Sequence, residues 1–285
     1  MLNALSVNLE DWYQDSALAD VIPRHRWERF PSRLEANTFR LLALLHEAQT
    51  KATFFVLGWS AERYPRLILE IERSGHELAI HGYQHLPVRE QTPVQFAWEI
   101  SRCHEILQQI TGRRPRGFRA PVLSAVVEAP WALNTLLENG IEYESSAFPA
   151  DGGFHCHPHR VRIDGKGVLV EFPISAPGPW QRKRSVSAPS RLPLLPYSIV
   201  RRTIKRANAA GQPALVCIHP WELDGELPPA RLLAGRWPPF GNAARRESRL
   251  ADLLREFEFG TIAQVLDVNL HLLPCVSLGN YANRN

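Results

Sequence analysis

The chain has 285 residues, 45% of them hydrophobic and 22% charged, with a formal net charge of +4. That balance describes a globular protein long enough to bury a sizeable core, and excludes a disordered or fibrous chain. The small net charge, with no wide basic stripe interleaved with aromatics, argues against nucleic acid as a partner.

Other function classes fall away on local grounds. No apolar run approaches the ~20 residues of a membrane span. The four cysteines, Cys103, Cys156, Cys217 and Cys275, form no CxxC pair, which argues against a disulfide framework or a cysteine-rich zinc site. The N-terminus lacks a basic leader region and passes directly into a strand, so a cytoplasmic, soluble protein is expected. The basic clusters Arg182-Lys183-Arg184 and Arg201-Arg202 read as solvated surface.

In chain order, Asn3 to Val7 reads as a buried strand and Arg33 to Gln49 as an amphipathic helix. Its apolar face is read from Leu34, Phe39, Leu41, Leu42, Leu44 and Leu45. Ala52 to Leu57 is a continuous apolar run, as a strand covered on both faces gives. Ala61 to Ser74 returns as a helix ended by Gly75, and Glu77 to Ile80 is the next strand. A helix follows over Thr92 to Thr111, with Thr92 as N-cap and Gly112 as its stop. Gly117 to Arg119 is a short strand, and Pro130 to Asn139 a helix ended by Gly140.

The stretch from Phe148 to about Pro196 is rich in Pro, Gly, Ser and His. One strand pair stands out in it, Arg160 to Ile163 and Val168 to Phe172 around Asp164-Gly165-Lys166-Gly167, read as a β-hairpin insertion followed by a long loop. The helix Tyr197 to Ala210 and the strand Pro213 to Ile218 follow. After a second loop, Asp224 to Asn242, come a helix over Arg246 to Glu258 and a strand-like piece at Gly260-Thr261. Alternation of strand and helix predicts a parallel α/β barrel or sheet with its chemistry at the C-terminal strand ends. No linker divides the chain, so residues 1–285 are read as one domain, with the insertion in its part from about 148.

The most informative segment is Ser74-Gly75-His76-Glu77-Leu78-Ala79-Ile80-His81-Gly82-Tyr83-Gln84-His85, a strand ending in two histidines four residues apart. Neutral imidazole is the commonest ligand for a catalytic divalent metal, and such a pair can aim two rings at one ion. A third ligand is required, and the acids after the first strand, in Asn8-Leu9-Glu10-Asp11-Trp12, offer it. Arg119-Ala120-Pro121 and His219-Pro220-Trp221-Glu222 occupy two further strand ends.

Taken together, NLEDWYQ, TFFVLGWSAERYP, SGHELAIHGYQH, GFRAP, EYESSAFP, EFPIS, CIHPWE and FEFGT resemble the polysaccharide deacetylase (NodB-homology) family. Within it they resemble the branch associated with exosortase and exopolysaccharide gene clusters. The resemblance implies a distorted (β/α)7-type barrel with a β-hairpin and loop insertion. It also implies metal-dependent removal of acetyl groups from an N-acetylated glycan in exopolysaccharide biosynthesis. It makes His81 and His85 metal ligands with a first-motif acid, either Glu10 or Asp11, and zinc the expected ion, although cobalt, nickel or iron suits the same ligands. His219 would protonate the leaving amine, Arg119 would orient a first-motif carboxylate, and Pro121, Trp221 and Glu222 would contact substrate, with Trp221 as a sugar-stacking wall.

The first motif departs from the acid-x-acid-acid pattern expected in that branch, because its leading position is Asn8. With Glu10 as the metal acid, Asn8 holds the general-base position, and an amide accepts no proton at neutral pH. With Asp11 as the metal acid, Glu10 becomes the base and the set is complete. Two further readings are a catalytically weak or inactive homologue that still binds metal and glycan, and a hydrolase of small amides or cyclic imides. The run His155-Cys156-His157-Pro158-His159 reads as a solvated loop. The tryptophans Trp27, Trp98 and Trp131 read as packing residues, and Trp180 and Trp237 as the better candidates for a glycan groove.

Overall fold

The structure is a computed structural model that describes residues 1–122, 129, 131–147, 157–163, 165–175, 196–226 and 243–278. Its sheet contains strands β1 (Asn3–Leu9), β2 (Thr53–Val56), β3 (Glu77–Ile80), β4 (Gly117–Phe118), β5 (Tyr143–Glu144), β6 (His159–Ile163), β7 (Gly167–Glu171), β8 (Leu215–Ile218), β9 (Phe259–Gly260) and β10 (Cys275–Ser277). The strand order is β10-β6-β7-β5-β4-β3-β2-β1-β8, with β9 on β1. Strands β1, β2, β3, β4, β5, β7 and β8 run parallel. The chain beyond β7 closes the ring, because Ser175 N–H donates to the Leu215 carbonyl at 3.1 Å. This is a (β/α)7 barrel, and β6, antiparallel to β7, is the hairpin attached to it.

Burial explains the apolar runs. Every residue of β2 is buried. Phe54 and Val56 face outward onto the helix Leu34–Glu47, packing with Leu41 and Leu45, while Phe55 faces inward onto Ala4, Ala79 and Leu215. Burying one such phenylalanine contributes ~1.5–3 kcal/mol. The helix Ile262–Asn269 plugs the N-terminal end of the barrel, where Ile262, Val265 and Leu266 join the inner cluster. Its first turn is tied to the interior, since Ala263 N–H donates to Glu77 Oε2 at 3.1 Å and Ile262 N–H to Thr53 Oγ1 at 2.8 Å. Tyr143 Oη donates to the other Glu77 oxygen at 2.8 Å.

Several expected elements change at physical boundaries. The helix expected over Ala61 to Ser74 is two helices, Gly58–Arg63 and Pro65–Arg73, because Pro65 lacks an N–H and starts a new first turn. Phe39 is not on the core face and is 48% exposed. Thr261 belongs to no strand. It is an N-cap whose side chain accepts from Gln264 N–H, a capping box legible as Thr-x-x-Gln. His159 is fully buried in β6, not in a solvated loop. Asp164, His155, Cys156, Trp180, Trp237 and most of the two long loops lie outside the described residues.

Candidate metal centre

Each candidate residue sits at the C-terminal end of a barrel strand. β1 stops at Leu9, where Glu10 N–H turns back to the Asn8 carbonyl at 2.9 Å. That tight turn sends the Glu10 carboxylate towards the loop after β3. Glu10 Oε1 lies 2.7 Å from His81 Nε2 and 3.3 Å from His85 Nε2. One ligand atom from each of the three lies within 4.8 Å of the other two, and all three side chains are buried.

The pair is presented by a turn leaving a strand, not by a helix. His81 N–H continues the ladder to the Val56 carbonyl at 2.9 Å. Gly82 then takes φ +77° and His85 φ +58°, so the chain folds back and the two rings stand 5.4 Å apart. A left-handed histidine is strained, and such strain clusters at functional sites. Arg24 holds the turn by donating to the Gln84 carbonyl at 2.7 Å and the His85 carbonyl at 2.9 Å. Nothing in the sequence singles Arg24 out.

The protonation states suit a metal. His81 Nδ1 lies 2.8 Å from the Arg119 carbonyl, which fixes the N–H on Nδ1 and leaves the Nε2 lone pair facing Glu10. Burial, against the pull of Glu10, holds the His81 pKa below its ordinary value, favouring neutral imidazole. For Glu10 burial acts upward, but the influence of its two histidine neighbours outweighs it and holds the carboxyl well below its usual range. Two imidazoles and one carboxylate are a donor set that fits a divalent ion such as zinc.

Asp11 lies outside this group. Its carboxylate accepts from Trp12 N–H at 3.0 Å and Arg33 N–H at 2.9 Å, capping the short helix Trp12–Gln14. Asn8 points elsewhere, to Arg119, whose Nη1 donates to Asn8 Oδ1 at 2.9 Å. The same nitrogen donates to Ser6 Oγ at 3.0 Å and approaches Cys217 Sγ at 3.2 Å, while Nη2 donates to Ser145 Oγ at 2.8 Å. The guanidinium lies 4.0 Å from the Phe55 ring centroid and is fully buried. Ser145 and Cys217 belong to the quoted EYESSAFP and CIHPWE phrases, but their spacing carries no sign of Arg119.

His219 follows β8. Its Nδ1–H donates to Glu222 Oε1 at 2.7 Å, and its backbone N–H reaches the same oxygen at 3.1 Å. This leaves Nε2 as the ring nitrogen that can exchange a proton. Burial lowers the His219 pKa, but Glu222 and Glu10 outweigh it, and the net shift is upward. Glu222 therefore orients the imidazole, a role different from the substrate contact expected of it. Trp221 is also corrected. Its ring is fully buried, stacks on His219 at 5.0 Å and packs with Trp12, Trp27 and Trp59, so it offers no face to a sugar. Pro121 is half-buried beside Gly82.

Residues 26–141 match the family described as polysaccharide deacetylase, and residues 145–267 match a domain of unknown function, DUF3473. The peptidoglycan deacetylase-like protein FGM2 of Gibberella zeae is 38% identical over 154 residues, covering 52% of this chain and 44% of that protein. The chain spans less than half the length of the curated relatives it matches. Among solved structures, a putative polysaccharide deacetylase from Mycobacterium smegmatis aligns with TM-score 0.59 at 23% identity, covering 95% of this chain and 92% of that one. Puue allantoinase aligns with TM-score 0.60 at 14% identity, covering 90% and 85%. These two likenesses show the barrel fold.

Proposed function

From the match of residues 26–141 to the polysaccharide deacetylase family and the likeness to deacetylase relatives, we propose that this chain is a metal-dependent carbohydrate N-deacetylase of low turnover. Its substrate is an N-acetylated polysaccharide or precursor in exopolysaccharide synthesis. The observation that carries the reading is the convergence of Glu10, His81 and His85 at the C-terminal mouth of the barrel. These three would hold the ion, which when bound would supply Lewis-acid activation of the acetyl carbonyl and of water.

The remaining steps belong to the chain's own residues. Water oxygen bonds to the acetyl carbon, the C–N bond breaks, and acetate and a free amine leave. His219 Nε2 gives its proton to the departing nitrogen while Glu222 holds Nδ1–H. Removal of the water proton is the weak step. Asn8 accepts no proton, and on this reading Glu10 is committed to the ion. The site thus has an acid in place and lacks a matched base. Acetate release from N-acetylated glycans by the zinc-loaded protein tests the reading, and no release from any of them would sink it.

A second reading, a hydrolase of small amides or cyclic imides, is favoured by one observation, the fold likeness to an allantoinase. Turnover of a cyclic ureide with none of the glycans would select it.

A further inference from the structure

The helix Pro93–Thr111 presents an unusual side chain to solvent. Trp98 is 58% exposed, and Val94, one turn earlier, is 80% exposed. The sequence reading placed Trp98 in packing, yet Trp12, Trp27, Trp59 and Trp221 are all buried while Trp98 is not. A large exposed aromatic marks a binding surface more often than an isolated leucine does.

The ring is held in place. Tyr83 meets it edge-on, with centroids 5.7 Å apart and planes at 72°. Tyr83 is fixed in turn: its hydroxyl donates to Glu62 Oε2 at 2.7 Å, its N–H reaches Glu99 Oε2 at 3.4 Å, and its ring packs on Gly58, where a Cβ would come within 2.5 Å. Arg102, one helical turn beyond Trp98, binds the other Glu62 oxygen at 2.5 Å. Tyr83 itself lies between His81 and His85, in the turn that presents both metal-ligand candidates. The exposed indole therefore contacts a residue of that turn.

We propose that Trp98 is a sugar-stacking platform for a pyranose ring of the glycan chain beyond the unit being deacetylated. The proposal rests on the glycan-deacetylase reading above. The physical fit is specific. The C–H face of a pyranose packs on the negative face of the indole quadrupole, while Glu62 and Arg102 stand beside it with carboxylate and guanidinium groups for ring hydroxyls. A rigid aromatic costs little conformational entropy on binding, and the Tyr83 contact lowers that cost further.

The test uses the zinc-loaded full chain, with N-acetylglucosamine monomer and its β-1,4-linked pentamer as probes. The Trp98 indole N–H resonance, assigned by its loss in Trp98→Phe, is followed while each sugar is added. Acetate release is measured in parallel for wild type, Trp98→Ala and Trp98→Phe. The resonance is expected to move with the pentamer and not with the monomer. Trp98→Ala is expected to raise KM for the pentamer roughly tenfold with kcat and monomer turnover unchanged, and Trp98→Phe to recover part of the loss. An unmoved resonance, or equal pentamer KM in wild type and Trp98→Ala, overturns the platform. So does a dimer that Trp98→Ala dissociates without change in KM. If wild type releases no acetate from either sugar, the deacetylase reading fails, and the resonance alone still decides whether Trp98 binds the chain.

Discussion

Arg119 donates to Asn8 Oδ1 at 2.9 Å from a fully buried guanidinium, and among the described residues none of its hydrogen-bond partners is a carboxylate. Burial accordingly depresses the Arg119 pKa. A buried cation with only neutral acceptors is costly, and one anionic partner would relieve it. Asn8→Asp supplies that partner and gives the site a base. Turnover is expected to rise by ~10²–10⁴, the range of general-base catalysis, with an increase in melting temperature. Unchanged turnover in a folded Asn8→Asp protein would return the base role to Glu10.

The barrel was legible because its strands are apolar runs punctuated by Gly75, Gly112 and Gly140, each of which adopts a positive φ. The short strand Tyr143–Glu144 was not legible, since two residues carry no periodicity. The three residues that converge, Glu10, His81 and His85, were legible as types and spacings. The choice between Glu10 and Asp11 was not, because it turns on where β1 ends. Alternation along a strand stops deciding direction once Glu10 N–H bends back to Asn8. The burial of Trp221 and exposure of Trp98 were hidden for a related reason: a tryptophan's identity is the same on either side of a helix or turn.

If Glu10 is the metal acid, Asp11 and Glu10 have different roles that separate in thermal melts with and without zinc. Asp11→Ala removes a cap that binds Trp12 N–H and Arg33 N–H and is expected to cost ~0.5–2 kcal/mol. Zinc should stabilise that variant as much as wild type. Glu10→Ala should lose the zinc-induced rise, which for an ion at a hundred times its Kd is about 2.7 kcal/mol. Loss of the zinc effect in Asp11→Ala instead would make Asp11 the metal acid.

Gly117 tests the far end of the barrel. A Cβ there would come within 2.1 Å of the Tyr143 ring, and Tyr143 holds the Glu77 carboxyl that ties down the plugging helix. Gly117→Ala is expected to destabilise by ~1–3 kcal/mol through overpacking, read from denaturant melts, with zinc binding retained. A neutral substitution would show that the plug yields without cost.

On the deacetylase reading, His219 sets the pH dependence. The groups acting on it are Glu222, Glu10 and Asp15, all raising its pKa against a burial effect that lowers it. With the net shift upward, the imidazolium survives to higher pH than an ordinary histidine, so the alkaline fall in kcat lies higher too. Glu222→Gln removes the largest upward influence. The pKa should drop, and the alkaline limb of the kcat profile should move to lower pH while zinc affinity stays unchanged. His219→Ala should lose ~10²–10⁴ in kcat and abolish that limb. A Glu222→Gln profile that superimposes on wild type would mean that His219 is not the titrating acid, and the leaving amine would then take its proton from solvent.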